Sequence, residues 1–502
     1  MIKGRTVFRT VLFIALLTAL LCLSACILER KESIRRYADM KEASKRADVL
    51  ILGSSHVING LNPVVMYEDR GIAAYNLGGH GSIIPVSYYE LLLALRDFDP
   101  SLVILDGYMM ERDYHFLDVM TDEYTDQNRK DAVSQLHLSL DAFPMSRTKL
   151  HAVKDLVSDD RTRIQMLFPF ILYHNRWTSL SADDLVPASM SALDNRLLGA
   201  QIRYGVDWRI APHSMDTGDG IESISEGERY LQMILALCRE RNISLALTFL
   251  PCNSTEADRK AAERLGVLAA SEGLPYLDML ADDPTDVLTD YSDEGHLNLL
   301  GMVRATRSVE EFISQNVPVP DRRGEDGYLL WQERAEEYHE SLDERLMEAD
   351  SLAEALLILE ADPGRADALL YMPGTGMASG DPAVCRLLDA VVPGNGVSEA
   401  HYRNEPSFVV IGSNNSACYF CGYSVNDPMD VGLGSGKTLE LIQVENFTGA
   451  YLDGDETENL LDMEDGRLSD AQLVLLDPDS GDIKKRLIFN YPTGGSSDEG
   501  DQ

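Results

Sequence analysis

From Asp48 to about residue 318, short apolar runs alternate with helix-prone segments, and this alternation restricts the chain to few architectures. The runs at 49–52, 73–77, 102–105, 243–250 and 276–279 read as strands. The stretches 85–96, 255–272 and 299–314 read as helices, as does one opened by Ser225-Glu226-Gly227-Glu228, a capping-box pattern. A strand that is apolar throughout, such as Val49-Leu50-Ile51-Leu52, is buried on both faces. That marks a parallel sheet with helices on either side, so the expected class is α/β. Residues 112–220 interrupt the alternation and are expected to form a helical insertion. In such sheets, ligands bind beyond the carboxyl ends of the strands.

At 502 residues the chain exceeds one ordinary core, and its character changes after Val317-Pro318-Val319-Pro320. We read 48–318 as the α/β domain, 319–349 as a connector helix and 350–492 as a smaller C-terminal α+β domain. Residues 493–502 read as a disordered tail. In the C-terminal part, strands are expected at 368–372, 407–411, 417–420, 438–444, 472–476 and 486–489, with a βα unit formed by 368–372 and a helix near 382–391. The run Gly432 to Thr438 mimics a phosphate loop, but Val431 occupies the first glycine position and no strand precedes it, so it reads as a flexible loop.

The first 28 residues are a targeting segment. Lys3, Arg5 and Arg9 precede an apolar run that persists to Leu28, and 29–47 is a charged spacer. Leu23-Ser24-Ala25-Cys26 resembles the lipobox of bacterial lipoproteins, which would leave Cys26 lipidated. Alternatively, residues 10–28 span a bilayer as an uncleaved helix. Either reading tethers the remainder to a membrane, outside the cytoplasm. The formal net charge of −38, from 82 acidic and 44 basic residues, repels nucleic acid. Cys418 and Cys421 are three apart in a strand-like run and so face opposite sides, which argues against a zinc or redox pair. No metal and no cofactor is implied.

The chemistry lies in two segments. Gly53-Ser54-Ser55-His56 follows the first strand, and Asp293-Glu294-Gly295-His296 comes much later. Together they supply a hydroxyl nucleophile, an imidazole base and a carboxylate to orient the base, in the order Ser…Asp…His. Asn76-Leu77-Gly78-Gly79-His80-Gly81 follows the second strand.

In these residues the chain resembles the SGNH (GDSL-type) hydrolase superfamily over roughly 48–317, with its three-layer fold. The resemblance implies Ser55 as nucleophile, His296 as base and Asp293 as its partner. It also implies the Ser55 and Gly81 backbone N–H groups as oxyanion donors. Family members place an Asn, as G-x-N-D, after the third strand; here that position holds Asp106-Gly107-Tyr108. An aspartate there would repel an oxyanion, which leaves Tyr108 or a backbone N–H to substitute. The wording is similar to the membrane-tethered branch of D-alanylation (DltD) and alginate O-acetylation proteins. That branch implies an extracytoplasmic acyl esterase or O-acyltransferase acting on cell-envelope glycan, beside a membrane-bound O-acyltransferase. The alternative is a catalytically weak binding or adaptor protein for surface polysaccharide. Asn76, His56, Tyr108, His174, Arg176 and Trp177 are candidate substrate contacts. For the 173–177 cluster, a helix end packing its Trp on the core is an equal reading.

Overall fold

The computed structural model describes residues 2–28, 46–110, 136–157, 160–168, 170–185, 197–207, 209, 226–373, 382–392, 407–412, 417–421, 429–444, 447–455, 458–462 and 471–489. The chain divides into two units. The first comprises 1–201, 213–284 and 305–335, and the second 202–212, 285–304 and 336–502.

The first unit is α/β. Strands β1 (Val49–Leu52), β2 (Ala74–Asn76), β3 (Leu102–Asp106), β4 (Ser244–Phe249) and β5 (Tyr276–Asp278) form one sheet in the order β2-β1-β3-β4-β5. Every pairing is parallel, with Val49 beside Ala74 and Leu102, Leu102 beside Ser244, and Leu247 beside Tyr276. All residues of β1, β2 and β3 are buried, as expected for a sheet covered on both faces. The order reverses between β1 and β3, so the carboxyl ends of these two neighbours flank the switch-point crevice.

Helices follow with local causes for their ends. After α1 (Ile2–Leu28) and the short α2 (Ser55–Gly60) comes α3 (Pro63–Arg70), capped by the Asn62 side chain and stopped by Gly71 in the left-handed region. The sequence reading had no element there. Helix α4 (Ile84–Ala94) starts one residue earlier than expected and ends two sooner. The insertion contributes α5 (Arg147–Leu156), α6 (Asp160–Leu167), α7 (Phe170–Tyr173) and two 3₁₀ turns, His174–Thr178 and Ala182–Leu185. Helix α8 (Glu226–Arg241) packs on α4. Helix α9 (Glu256–Glu272) opens on a Thr255–Asp258 capping box. Two further helices are α10 (Leu299–Asn316) and α11 (Leu329–Met347). The fully buried Trp331 donates its indole N–H to the Ala74 carbonyl at 2.9 Å, tying the start of α11 to β2.

The second unit carries α12 (Leu352–Ala361), β6 (Asp367–Met372), α13 (Pro382–Val391) and strands β7 (Ser407–Ile411) to β13 (Ile483–Phe489). Between these last two lie β8 (Ala417–Cys421), β9 (Met429–Gly432), β10 (Thr438–Val444), β11 (Phe447–Leu452) and β12 (Ala471–Leu476). A five-stranded sheet runs β13-β12-β6-β7-β8 and a three-stranded one β11-β10-β9. All their pairings are antiparallel, and the expected βα unit is present as β6 followed by α13. Leu369, Phe408, Leu439, Leu441, Val474 and Leu476 share one apolar core. The expected loop after Gly432 is the β9–β10 hairpin turn, closed by Leu433 N–H to Lys437 O at 2.9 Å with Gly436 at φ +85°. The side chains of Cys418 and Cys421 lie outside the described residues.

Candidate active site

In the first unit, β1 delivers the chain directly into the serine turn. Gly53 has φ +155°, and a Cβ there would meet Val57 Cγ2 at 2.5 Å, so the turn requires glycine. Ser54 is the N-cap of α2, its Oγ accepting the His56 N–H at 3.3 Å. Ser55 is then the first helical residue, half-buried at the carboxyl end of β1.

The glycine-rich turn after β2 is built against this helix. Asn76 is fully buried: its Nδ2 donates to Val57 O at 2.8 Å and Leu61 O at 2.9 Å, and its Oδ1 accepts the Gly78 N–H at 2.8 Å. Both amide hydrogens are thus engaged with backbone, which makes Asn76 a framework residue that holds α2 against β2. A Cβ on Gly78 would lie 2.9 Å from the Ser54 carbonyl oxygen and from the Ile58 nitrogen, so the turn presses on the serine segment. Gly79 N–H donates to Gly53 O at 2.9 Å. Gly81 follows in the left-handed region at φ +59°.

The third strand end is organised by Asp106. This carboxylate is buried, with Oδ1 accepting the Leu250 N–H at 2.9 Å and Oδ2 the Tyr108 N–H at 3.3 Å. Burial pushes its pKa up to about 7, opposed by those two N–H groups. The carboxylate is therefore directed to the backbone at the ends of β3 and β4. Tyr108, which Asp106 positions, stacks on His56 with ring centroids 3.6 Å apart and meets Phe249 edge-on. Neighbouring Cys252 is buried, and its thiol pKa is raised by burial and by Asp258 and Asp106, which makes it an inert thiol.

In the second unit, the Asp293 and His296 side chains meet across one turn. Asp293 Oδ1 contacts His296 Nδ1 at 2.7 Å and accepts the Gly295 and His296 N–H groups at 2.9 and 3.0 Å. Its Oδ2 receives Arg203 Nη1 at 2.6 Å. Burial pushes this carboxyl up, but the Gly295 N–H, His296 and Arg203 outweigh it and hold its pKa below the ordinary 3.8. A carboxylate on Nδ1, ionised near neutral pH, places the ring hydrogen there and makes Nε2 the basic nitrogen. Arg203 was not singled out in the sequence, because a lone arginine 90 residues away carries no pattern.

The segment around the pair is tied by further backbone bonds. Ser292 N–H donates to His296 O at 2.9 Å, and Tyr291 bridges Leu297. Asn298, two residues beyond the histidine, accepts the Leu300 and Gly301 N–H groups and so caps α10. Its Nδ2 donates to Thr289 O at 2.6 Å and Gly205 O at 3.2 Å. Leu299 N–H donates to Arg203 O at 2.9 Å, which anchors the 202–207 segment beside the pair.

The remaining candidates lie in the insertion. Tyr173 donates to Asp141 Oδ2 at 2.6 Å, and Arg176 donates to Leu28 O at 2.7 Å and Asp184 Oδ1 at 2.9 Å. His174 Nδ1 lies 2.8 Å from Ile171 O, and Trp177 is 70% exposed rather than packed on a core. Cys26 is exposed near the end of α1, and Gly4–Leu28 is long and apolar enough to cross a membrane. The structure thus brings together Asp293 with His296, His56 with Tyr108, and Asn76 with α2. Ser55 belongs to the first unit, and the Asp293–His296 pair to the second.

No family model and no curated protein matches the chain. Among solved structures it is similar to a "putative acylhydrolase" from Bacteroides fragilis, at 12% identity and a TM-score of 0.26, over 54% of this chain and 87% of that one. A likeness at that level carries no argument about activity.

Proposed function

We propose that this chain is a membrane-anchored serine acyl esterase or O-acyltransferase of the SGNH type, acting outside the cytoplasm on cell-envelope glycan. The observation that carries the reading is the Asp293–His296 pair, with Nδ1 held at 2.7 Å by a carboxylate that is itself fixed by Arg203. It is supported by Ser55 standing on a glycine-dependent turn at the carboxyl end of β1, beside the switch point. In this reading Ser55 Oγ attacks the acyl carbonyl while His296 Nε2 takes its proton. The oxyanion is met by the Ser55 and Gly81 N–H groups. Collapse expels the alcohol, protonated by His296, and leaves an acyl-serine. Water or a sugar hydroxyl, deprotonated by the same histidine, then releases the acyl group. A membrane-bound O-acyltransferase is the natural acyl donor for the transfer arm, and α1 or a lipidated Cys26 is the anchor.

One observation favours a second reading, a glycan-binding protein with slow turnover. The Asp106 carboxylate stands where the family has an amide, and it accepts N–H groups instead of offering a donor. A fluorophosphonate probe separates the two. Labelling of wild type, lost in Ser55→Ala and His296→Ala and retained in Ser54→Ala, is expected of the enzyme. Equal labelling of Ser55→Ala removes the nucleophile assignment, and no labelling of wild type favours the binding protein.

A further inference from the structure

The insertion contains an apolar face that the chemistry above does not use. Ile164, Phe168, Ile171, Trp177 and Leu185 are 51, 61, 45, 70 and 65% exposed; Ile164 lies on α6, Phe168 just after it, Ile171 on α7 and the last two on the 3₁₀ turns. Isolated exposed apolar residues are ordinary, but a run of large ones is not. Helix α7 and the two 3₁₀ turns pack beside α1, whose own apolar side chains, from Val7 to Leu23, are exposed along its length.

The junction is specific. The last carbonyls of a helix have no partner within it, and its C-terminus is its negative pole. Arg176 donates to the carbonyl of Leu28, the final residue of α1, at 2.7 Å, and also to Asp184 at 2.9 Å. Burial pushes the Asp184 carboxyl up, but the Ser181 N–H and Arg176 outweigh it and keep the group ionised for this contact. The guanidinium therefore clamps the insertion to the point where α1 leaves its apolar stretch.

We propose that residues 160–185 form a face that docks on the lipid surface from which α1 emerges, with Ile164, Phe168, Ile171, Trp177 and Leu185 seated at the headgroup level of a phospholipid bilayer. Three features select lipid over a protein partner. The face is continuous with an apolar helix long enough to cross a membrane. Tryptophan prefers the interface, where its ring is apolar and its N–H can reach water or phosphate. Charge also permits it: residues 160–185 carry three basic against three acidic side chains, in a chain whose net charge of −38 would otherwise repel an anionic leaflet. Docked in this way, the first unit is held at a fixed height and orientation on the membrane instead of hanging on a tether.

The proposal rests on α1 as the membrane segment, and the test reads the two separately. The full-length chain is placed at one copy per nanodisc of phosphatidylcholine and phosphatidylglycerol, with a shallow doxyl-labelled lipid as quencher. We expect doxyl lipid to quench part of the tryptophan emission, and Trp177→Phe, a change at an exposed side chain, to abolish the quenchable part. Ile171→Asp, which leaves all three tryptophans in place, should lift Trp177 out and make it accessible to iodide. Quenching that is absent in wild type, or unchanged in Trp177→Phe, overturns the docking face while co-elution with discs leaves the anchor standing. A chain that elutes outside the discs overturns both. Shielding of Trp177 only when two chains share a disc assigns the face to a second copy and rejects lipid.

Discussion

The Asp106 carboxylate accepts the backbone N–H of Leu250 at 2.9 Å, joining the end of β3 to the residue that follows β4. Its second oxygen takes the Tyr108 N–H, which sets the ring that stacks on His56 beside Ser55. In this fold that aspartate is the fastener of the β3–β4 edge.

The raised pKa of Asp106 gives a stability signature. Its folded value of about 7 lies above the ordinary 3.8, because burial penalises the charged form. The folded state therefore keeps its proton longer than the unfolded chain. The contribution of Asp106 to stability is full below about pH 4, falls as pH rises, and is completely lost above about pH 7. At roughly 1.4 kcal/mol per unit the loss is at most about 4 kcal/mol. Asp106→Asn removes this titration, so the stability of the variant relative to wild type should improve between pH 5 and pH 8 in urea melts. Parallel curves for the two proteins would count against it.

Asp293→Asn should slow fluorophosphonate labelling by on the order of 10³–10⁴-fold, because an amide on Nδ1 no longer enforces the tautomer that makes Nε2 basic. Arg203→Ala should cost far less, roughly fivefold. Arg203 is one contact among several on Asp293, and it is about a third exposed. Labelling rates of the two variants check the ranking, and a larger effect at Arg203 would reverse the assignment of roles.

Gly78→Ala and Gly432→Ala make a matched pair. An added methyl at Gly78 meets the Ser54 carbonyl and Ile58 nitrogen at 2.9 Å, whereas at Gly432 it meets nothing within 4 Å. The first should destabilise by about 1–3 kcal/mol and depress Ser55 labelling, and the second should leave both unchanged. Thermal melts and probe labelling on the same preparations decide it.

Within the second unit, Asn298 and Arg386 support the 285–304 segment unequally. Asn298 is fully buried and its side chain makes four hydrogen bonds. Arg386 Nε meets Asp286 Oδ2 at 2.7 Å from a side chain that is more than half exposed. Asn298→Ala should cost about 2–4 kcal/mol and slow labelling by loosening the Asp293–His296 turn. Arg386→Ala should cost less than about 1 kcal/mol. Chemical denaturation with the probe readout checks the contrast.

The anchor separates by one substitution. If Cys26 is lipidated, Cys26→Ala abolishes fatty-acid labelling and blocks cleavage of the leader. If α1 stays intact, the variant remains in the membrane fraction with its mass unchanged. Fatty-acid labelling with intact-mass measurement distinguishes these outcomes.

Much of this was written locally in the chain. Val49–Leu52 and Leu102–Leu105 were legible because a doubly covered strand is apolar along its run, so no partner need be known. The Asp293–His296 contact was legible because it closes within a single turn, where spacing alone sets the geometry. The edge strands β9 and β11 were missed, since β9 holds only four residues and β11 carries Thr448 and Gly449 in a run that neither alternates nor is apolar throughout. What only packing could decide are the contacts between distant residues. Arg203 reaches Asp293 across 90 positions, Arg176 reaches Leu28 across 148, and Asp106 reaches Leu250 across 144. No periodicity encodes such pairs, because each depends on which elements the core has already brought side by side.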